Sequence, residues 1–328
     1  MKTVFVTGAT GLIGSAICTR LLERGDKVRT IVRSPDASDA EALRKAGVDV
    51  IPGDVGDLES VREGAKGANG IIHSAAILGR PGITIENSMP TNVLGTIHTL
   101  TAAAELGVPT VQLLTTTFFD MLERTFDEFS PYDLLYRNRD IYTITKRLAY
   151  AEGFTRVASG QDIRFMIPGA AYGPSICVER AMVRPSFNDR ICSAIRNDMQ
   201  PTVPLPIPFV MTDDCAFVCV AALDKGAKGE RYVAHGREQD IGTLASILNV
   251  ACEMAGVKHR VEEIPKERLD DPEVIAKVGP SMPELAKRHY PTPFSDSSFT
   301  QKRLGYVPTP LDKGFTITIE WMRKHGYL

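Results

Sequence analysis

A chain of 328 residues can form one large α/β domain or two linked ones. With 43% hydrophobic and 24% charged residues it has an ordinary globular composition, which excludes a disordered chain. A net charge of −2 excludes any general attraction to nucleic acid or acidic membranes.

The opening MKTVFVTGATG has too few apolar residues before Gly8 for a signal-peptide core, and no long uncharged run follows. A soluble, cytoplasmic protein is therefore expected. KTVFVT (2–7) reads as a strand and LIGSAICTRLLERG (12–25) as an amphipathic helix. Between them lies TGATGLIG, with Gly8, Thr10, Gly11, Leu12, Ile13 and Gly14 in the turn. Glycines three apart there let the backbone approach a diphosphate and turn the N–H groups of the helix N-terminus toward it. No Gly-Lys-Ser/Thr follows, so a nucleoside-triphosphate loop is disfavoured.

KVRTIVR (27–33) is the second strand and ends in Arg33 and Ser34, with no acid. A carboxylate there would repel a 2′-phosphate, whereas a guanidinium pairs with one. NADP(H) is therefore expected over NAD(H), although NAD remains open. AEALRKAG (40–47) and LESVREGAKG (58–67) read as helices, and VDVIPGD (48–54) and GIIHSAA (70–76) as strands. His73 in the last of these is expected to be a core histidine, because no nucleophile accompanies it. A long helix fits 85–106, a strand 109–117, a helix 142–158 and a strand 162–168. Such alternation predicts a parallel sheet covered by helices on both faces.

Beyond Pro168 the pattern becomes irregular and rich in proline, with a helix at 238–256 and short helices mixed with prolines over 264–293. The expected division is a dinucleotide-binding domain over 1–175, with 209–235 returning to it. A substrate lobe over 176–208 and 236–328 is built onto it. The six cysteines show no CxxC pair; Cys215 and Cys219 share a helix face without a histidine, so buried thiols are expected and no metal.

YTITK, Tyr142 to Lys146, places a phenol and an ammonium on one helix face. A free phenol has a pKa of about 10 and exchanges protons poorly at neutral pH unless cations lower that value. TGATGLIG, GDVGDL, HSAA, NVLGT, YTITK, YGP and LGYVPT, in that order, resemble the extended short-chain dehydrogenase/reductase family over nearly the whole chain. The resemblance implies a doubly wound Rossmann sheet with a smaller C-terminal substrate lobe. It also implies a catalytic hydroxyl at the end of the fifth strand, and the family's usual spacing back from the tyrosine falls on Thr117 in LLTTTFFD, with Thr116 the adjacent alternative. Strand alternation would turn Thr115 and Thr117 to one face and Thr116 to the other. Tyr142 and Lys146 would complete the catalytic set and also contact the cofactor. By the same resemblance Asp54 and Val55 meet the adenine, Ala75 and Ala76 line the cofactor, and Pro168 and Gly169 form the turn beside the nicotinamide. Asn92 matches a helix asparagine of the family, and the helices at 85–106 and 142–158 imply a homodimer.

Three functions compete. The first is an NADP(H)-dependent reductase or dehydrogenase of a small apolar carbonyl or alcohol, resembling dihydroflavonol reductases and hydroxysteroid dehydrogenases. The second is a nucleotide-sugar epimerase or dehydratase, and the third a non-catalytic NADP-sensing protein. The apolar PTVPLPIPFVMTDD (201–214) favours the first, while Arg180, Arg184 and Arg190 are available to grip a phosphate or carboxylate. The lead-in LLYRNRDI (134–141) departs from the family's usual proline-and-acid approach to the tyrosine.

Overall fold

The computed structural model describes residues 1–79, 82–120, 125–134, 140–278, 283, 286–287 and 295–328. Its seven-stranded parallel sheet runs in the order β3-β2-β1-β4-β5-β6-β10. The strands are β1 (Thr3–Thr7), β2 (Lys27–Val32), β3 (Asp49–Pro52), β4 (Gly70–His73), β5 (Thr110–Leu113), β6 (Ile163–Pro168) and β10 (Arg231–Ala234). The order reverses between β1 and β4, which opens a crevice at the strands' C-terminal ends where ligands of such sheets bind. The near-continuous apolar runs of β1, β4 and β6 fit strands covered on both faces.

Helices α1 (Leu12–Glu23), α2 (Ser38–Ala46) and α3 (Leu58–Ala65) connect the first strands. The expected helix at 85–106 forms in three contiguous pieces: α4 (Ile85–Met89), a π-helical turn (Pro90–Leu94) and α5 (Gly95–Leu106). Pro90 lacks the N–H that an α-helical ladder needs, and the widened turn begins at that residue. α6 (Ile141–Ala158) starts on the cap of Asp140, whose side chain accepts from the Thr143 N–H at 2.9 Å. The lead-in segment 135–139 lies outside the described residues.

The strand expected at 109–117 is shorter. β5 ends at Leu113, and Thr116–Phe118 form a 3₁₀ turn capped by Thr115. Simple in-out alternation therefore does not extend through the three threonines.

A second core lies beside the sheet. It packs β7 (Ala170–Tyr172), α8 (Phe187–Ile195), β9 (Phe209–Met211), α10 (Leu244–Met254) and the C-terminal helix α13 (Leu311–Lys324), with Ile191, Phe209, Leu248, Phe315 and Met322 fully or almost fully buried. The short helix α7 (Val178–Ala181) precedes α8, β7 pairs in parallel with β9, and β8 (Pro206–Ile207) pairs antiparallel with β11 (Gly242–Thr243). α9 (Thr212–Lys225) returns the chain to the sheet through α1, and its Cys215 and Cys219 are buried. All six cysteines are buried free thiols. Between α10 and α13 come α11 (Pro272–Val278) and α12 (Ser298–Leu304); much of 279–294 lies outside the described residues. No described helix is long and apolar enough to cross a membrane.

Candidate active site

The glycine turn has the shape its sequence implies. Gly8 sits at φ +73°, and a methyl there would lie 2.6 Å from the Ala75 backbone nitrogen. At Gly14 a methyl would lie 2.1 Å from the Gly8 carbonyl oxygen. Gly11 is more open: its added methyl would meet only the Gly8 oxygen, at 3.2 Å. Gly11 caps α1 without a side chain, and no acid stands in the first helical turn. Unsatisfied N–H groups at Leu12, Ile13 and Gly14, backed by the helix dipole, suit a diphosphate. The chain thus fits a dinucleotide, and Thr10 lies half-buried in the same turn.

The residues expected at the adenosine end also stand at strand ends. Arg33 and Ser34 are exposed just past β2, and Arg33 makes no ion pair among the described residues. Asp54 follows β3 and accepts from the Gly56 N–H at 2.8 Å, with Val55 buried beside it. Ala75 and Ala76 follow β4, and the preceding Ser74 hydroxyl donates to the Thr7 carbonyl at 2.7 Å. Asn92, fully enclosed in the π-helical turn, accepts from the Ile77 N–H at 2.7 Å and donates to Ile77 O at 3.1 Å and Thr145 Oγ1 at 2.9 Å. It ties the cofactor-side segment after β4 to α6. Pro168 and Gly169 end β6; a methyl on Gly169 would lie 2.2 Å from the Pro208 oxygen, so the close approach of that loop requires glycine.

Tyr142 and Lys146 lie one turn apart on α6. Lys146 is buried, donates to the Leu113 carbonyl at 2.6 Å, and is pulled down to about 8 by burial. The phenol of Tyr142 is pushed up to about 12, chiefly by burial, with the Asp140 carboxylate adding to the rise and the Thr115 hydroxyl, its hydrogen-bond partner, opposing it. Without cofactor, then, the phenol is an acid held in its protonated form.

Of the three threonines, Thr115 is the one whose hydroxyl opposes the rise of the Tyr142 phenol. It lies 3.3 Å from Thr117 Oγ1, and Thr117 lies 2.8 Å from Thr143 Oγ1. The Thr143 hydroxyl reaches Asp140 Oδ2 at 2.6 Å. Thr115, Thr143 and Asp140 were not singled out by sequence. Asp140 carried a signal, as an N-cap residue just ahead of the helix; Thr143 carried none.

His73 is a core residue. Its Nδ1 meets Thr7 at 2.8 Å and Thr99 at 3.2 Å, its Nε2 meets Thr96 at 3.0 Å, and burial followed by the Lys146 charge brings it down to about 3. Of the three arginines, Arg184 is engaged by Asp189 at 2.9 Å and Arg190 stacks over the Phe187 ring at 5.3 Å. Arg180 is exposed on α7, away from Tyr142 in sequence and beside Asp39.

Comparison with known proteins gives the family and the fold. The pattern of the family described as "NAD dependent epimerase/dehydratase family" matches residues 4–234. The chain is 28% identical to sterol demethylase protein B of Methylococcus capsulatus, over 99% of this chain and 100% of that protein. It is 25% identical to a putative dihydroflavonol 4-reductase of Synechocystis, over 99% and 95%. Among solved structures, gox2253 superposes with a TM-score of 0.84 at 25% identity, over 100% of both chains.

Proposed function

The chain belongs to the NAD dependent epimerase/dehydratase family and is an NAD(P)-dependent enzyme of the extended short-chain dehydrogenase/reductase type; from that premise we propose that it reduces a ketone or aldehyde of a small apolar substrate, or oxidises the alcohol, with NADP(H). The observation that carries this reading is the placing of Tyr142 and Lys146 one turn apart on α6, with Lys146 on the Leu113 carbonyl at the end of β5 and the Thr115–Thr117 hydroxyl pair in the turn that follows that strand. The similarity to a reductase over the full chain supports the same direction.

Bound in the crevice, the dinucleotide supplies hydride exchange with the substrate carbon. The glycine turn holds its diphosphate, Arg33 and Ser34 take the 2′-phosphate, and Asp54 and Val55 face the adenine. Ala75, Ala76, Pro168 and Gly169 line the remainder, and Lys146 takes ribose hydroxyls. Tyr142 donates its phenolic proton to the substrate oxygen in reduction; a phenol kept protonated suits that role. The family's usual spacing selects Thr117 for the substrate oxygen, and its neighbour Thr115, whose hydroxyl opposes the rise of the Tyr142 phenol, is added to it. Thr116 makes no side-chain hydrogen bond among the described residues, which weighs against it.

The assembly we propose is a homodimer. Leu94 and Leu106 of the π-turn and α5, and Ile144, Leu148 and Phe154 of α6, are large apolar side chains exposed on two adjacent helices. A second copy of the same face would cover them.

The test is a screen of NADPH oxidation by the purified protein across ketones, aldehydes and nucleotide sugars. Consumption of NADPH with an aldehyde or ketone, lost in Tyr142→Phe, is the expected result. Conversion of a nucleotide sugar with no net change in cofactor would instead establish an epimerase.

A further inference from the structure

A histidine outside the catalytic set reaches the adenosine end from α5. His98 is half-buried, and its Nδ1 lies 2.9 Å from the Val55 carbonyl oxygen. A carbonyl oxygen has no proton to give, so Nδ1 carries the proton and donates it. One turn earlier on α5, Gly95 makes room for Val55; a methyl there would lie 2.8 Å from Val55 Cγ2.

Asp54 to Asp57 form a β-turn, closed by the Asp57 N–H donating to the Asp54 carbonyl at 3.0 Å. Its central peptide, Val55–Gly56, is held at both ends. His98 donates to the carbonyl, and the Gly56 N–H donates to Asp54 Oδ1 at 2.8 Å. A turn of this kind has two forms that differ by a flip of the central peptide. The flipped form, type II, requires a positive φ at the third residue. Here that residue is Gly56, which reaches positive φ without steric cost, yet does not adopt it. Turning the peptide over would break both hydrogen bonds and swing the carbonyl toward the Asp54 carboxylate. Local sequence thus leaves the turn two forms, and His98 weights the choice from a distant helix. Asp54 Oδ2 and the Val55 N–H have no partner among the described residues. An acceptor and a donor on adjacent residues are what the amino group and ring nitrogen of adenine require.

We propose that His98 is a positioning residue for adenine recognition. By holding the Val55 carbonyl it keeps the turn 54–57 in the form that presents Asp54 and Val55 to the base. The proposal rests on the assignment of those two residues to the adenine.

The test compares dissociation constants of NADPH and its hypoxanthine analogue, read from nicotinamide fluorescence on the intact protein. The analogue presents an oxygen and an N–H where adenine presents an amino group and a bare nitrogen. The unaltered protein should bind NADPH about tenfold or more tightly, the worth of the hydrogen bonds so reversed. His98→Leu, which removes the donor, should bring that ratio close to one. His98→Asn should restore it, because its amide N–H can stand in for Nδ1. Gly56→Ala added to His98→Leu should also restore it, since alanine disfavours the positive φ of the flipped turn. Its methyl would meet Asp54 Oδ1 at 3.3 Å, a contact that a small shift relieves.

A ratio unchanged in His98→Leu overturns the proposal, because a histidine that only packs α5 would weaken both dinucleotides alike. Equal binding of the two by the unaltered protein is a different failure: it removes the adenine from Asp54 and Val55, and the part of His98 with it. If His98→Leu does not fold, nitrogen NMR of the unaltered protein decides, at a pH well above the ordinary histidine value of about 6.5. A proton on Nδ1 of His98 is the expected result, and a proton on Nε2 alone overturns the proposal.

Discussion

Tyr142 is set against its own ionisation by the protein that holds it. Burial and the Asp140 carboxylate both raise its phenol, and the buried Lys146 ammonium spends a hydrogen bond on the Leu113 carbonyl. In cofactor-free protein, tyrosinate formation at Tyr142 should therefore begin only well above the ordinary value of about 10, read as the ultraviolet difference between the unaltered protein and Tyr142→Phe. Asp140→Asn should shift it downward. Tyr142→Phe itself should cost turnover about 10²- to 10⁴-fold with little change in cofactor affinity, while Lys146→Ala should damage both. At the adenosine end, Arg33 is a cation without an ion pair among the described residues. NADPH should bind more tightly than NADH, and Arg33→Asp should reverse the order. Equal dissociation constants for the two in the unaltered protein would remove Arg33 from the 2′-phosphate site.

At the scale of elements, the turn from β1 into α1 has the least freedom. A methyl at Gly14 would run into the Gly8 carbonyl at 2.1 Å and the Ser74 hydroxyl at 2.9 Å. Gly14→Ala should therefore cost about 1–3 kcal/mol in a denaturant titration, as overpacking does, and weaken NADPH binding through the displaced turn. Helices α5 and α6 carry a different constraint. Their exposed Leu106, Leu148 and Phe154 are unfavourable on a monomer and stabilising under a partner. Light scattering at micromolar concentration should give a dimer's mass, and Leu148→Glu with Phe154→Glu should give a monomer's. A monomeric mass for the unaltered protein would refute the dimer.

At the scale of the whole molecule, two histidines among the described residues are kept neutral by burial. His73 and His235 are each brought down to about 3 from an ordinary 6.5, by burial foremost. Below pH 6.5 the unfolded chain binds protons at both positions that the folded chain refuses. By linkage, stability is full above about 6.5 and falls as the pH drops toward about 3. Urea titrations across that window should show a slope shared by these two groups. His73→Asn should reduce it by close to one proton's worth, and an unchanged slope would mean that His73 is protonated in the folded state.

Residues that act through local geometry were legible in the sequence, because local steric rules do not need the rest of the chain. The alternation of apolar strands and amphipathic helices led to the parallel sheet that forms. Gly8 and Gly14 stand where only glycine fits, and the four-residue step from Tyr142 to Lys146 puts both on one helix face whatever surrounds it. The end of β5 was less legible, because β-branched threonines suit both a strand and the tight turn they form. What closes that strand after Leu113 is a cap made by the Thr115 side chain. Only tertiary structure decided that Thr143 stands between Thr117 and the exposed Asp140 carboxylate, and that Lys146 lies buried on the Leu113 carbonyl. Those facts depend on how α6 docks across the ends of β5 and β6, a contact between segments distant in sequence. Burial, which decides the protonation of Tyr142, Lys146 and His73, exists only once those segments have met.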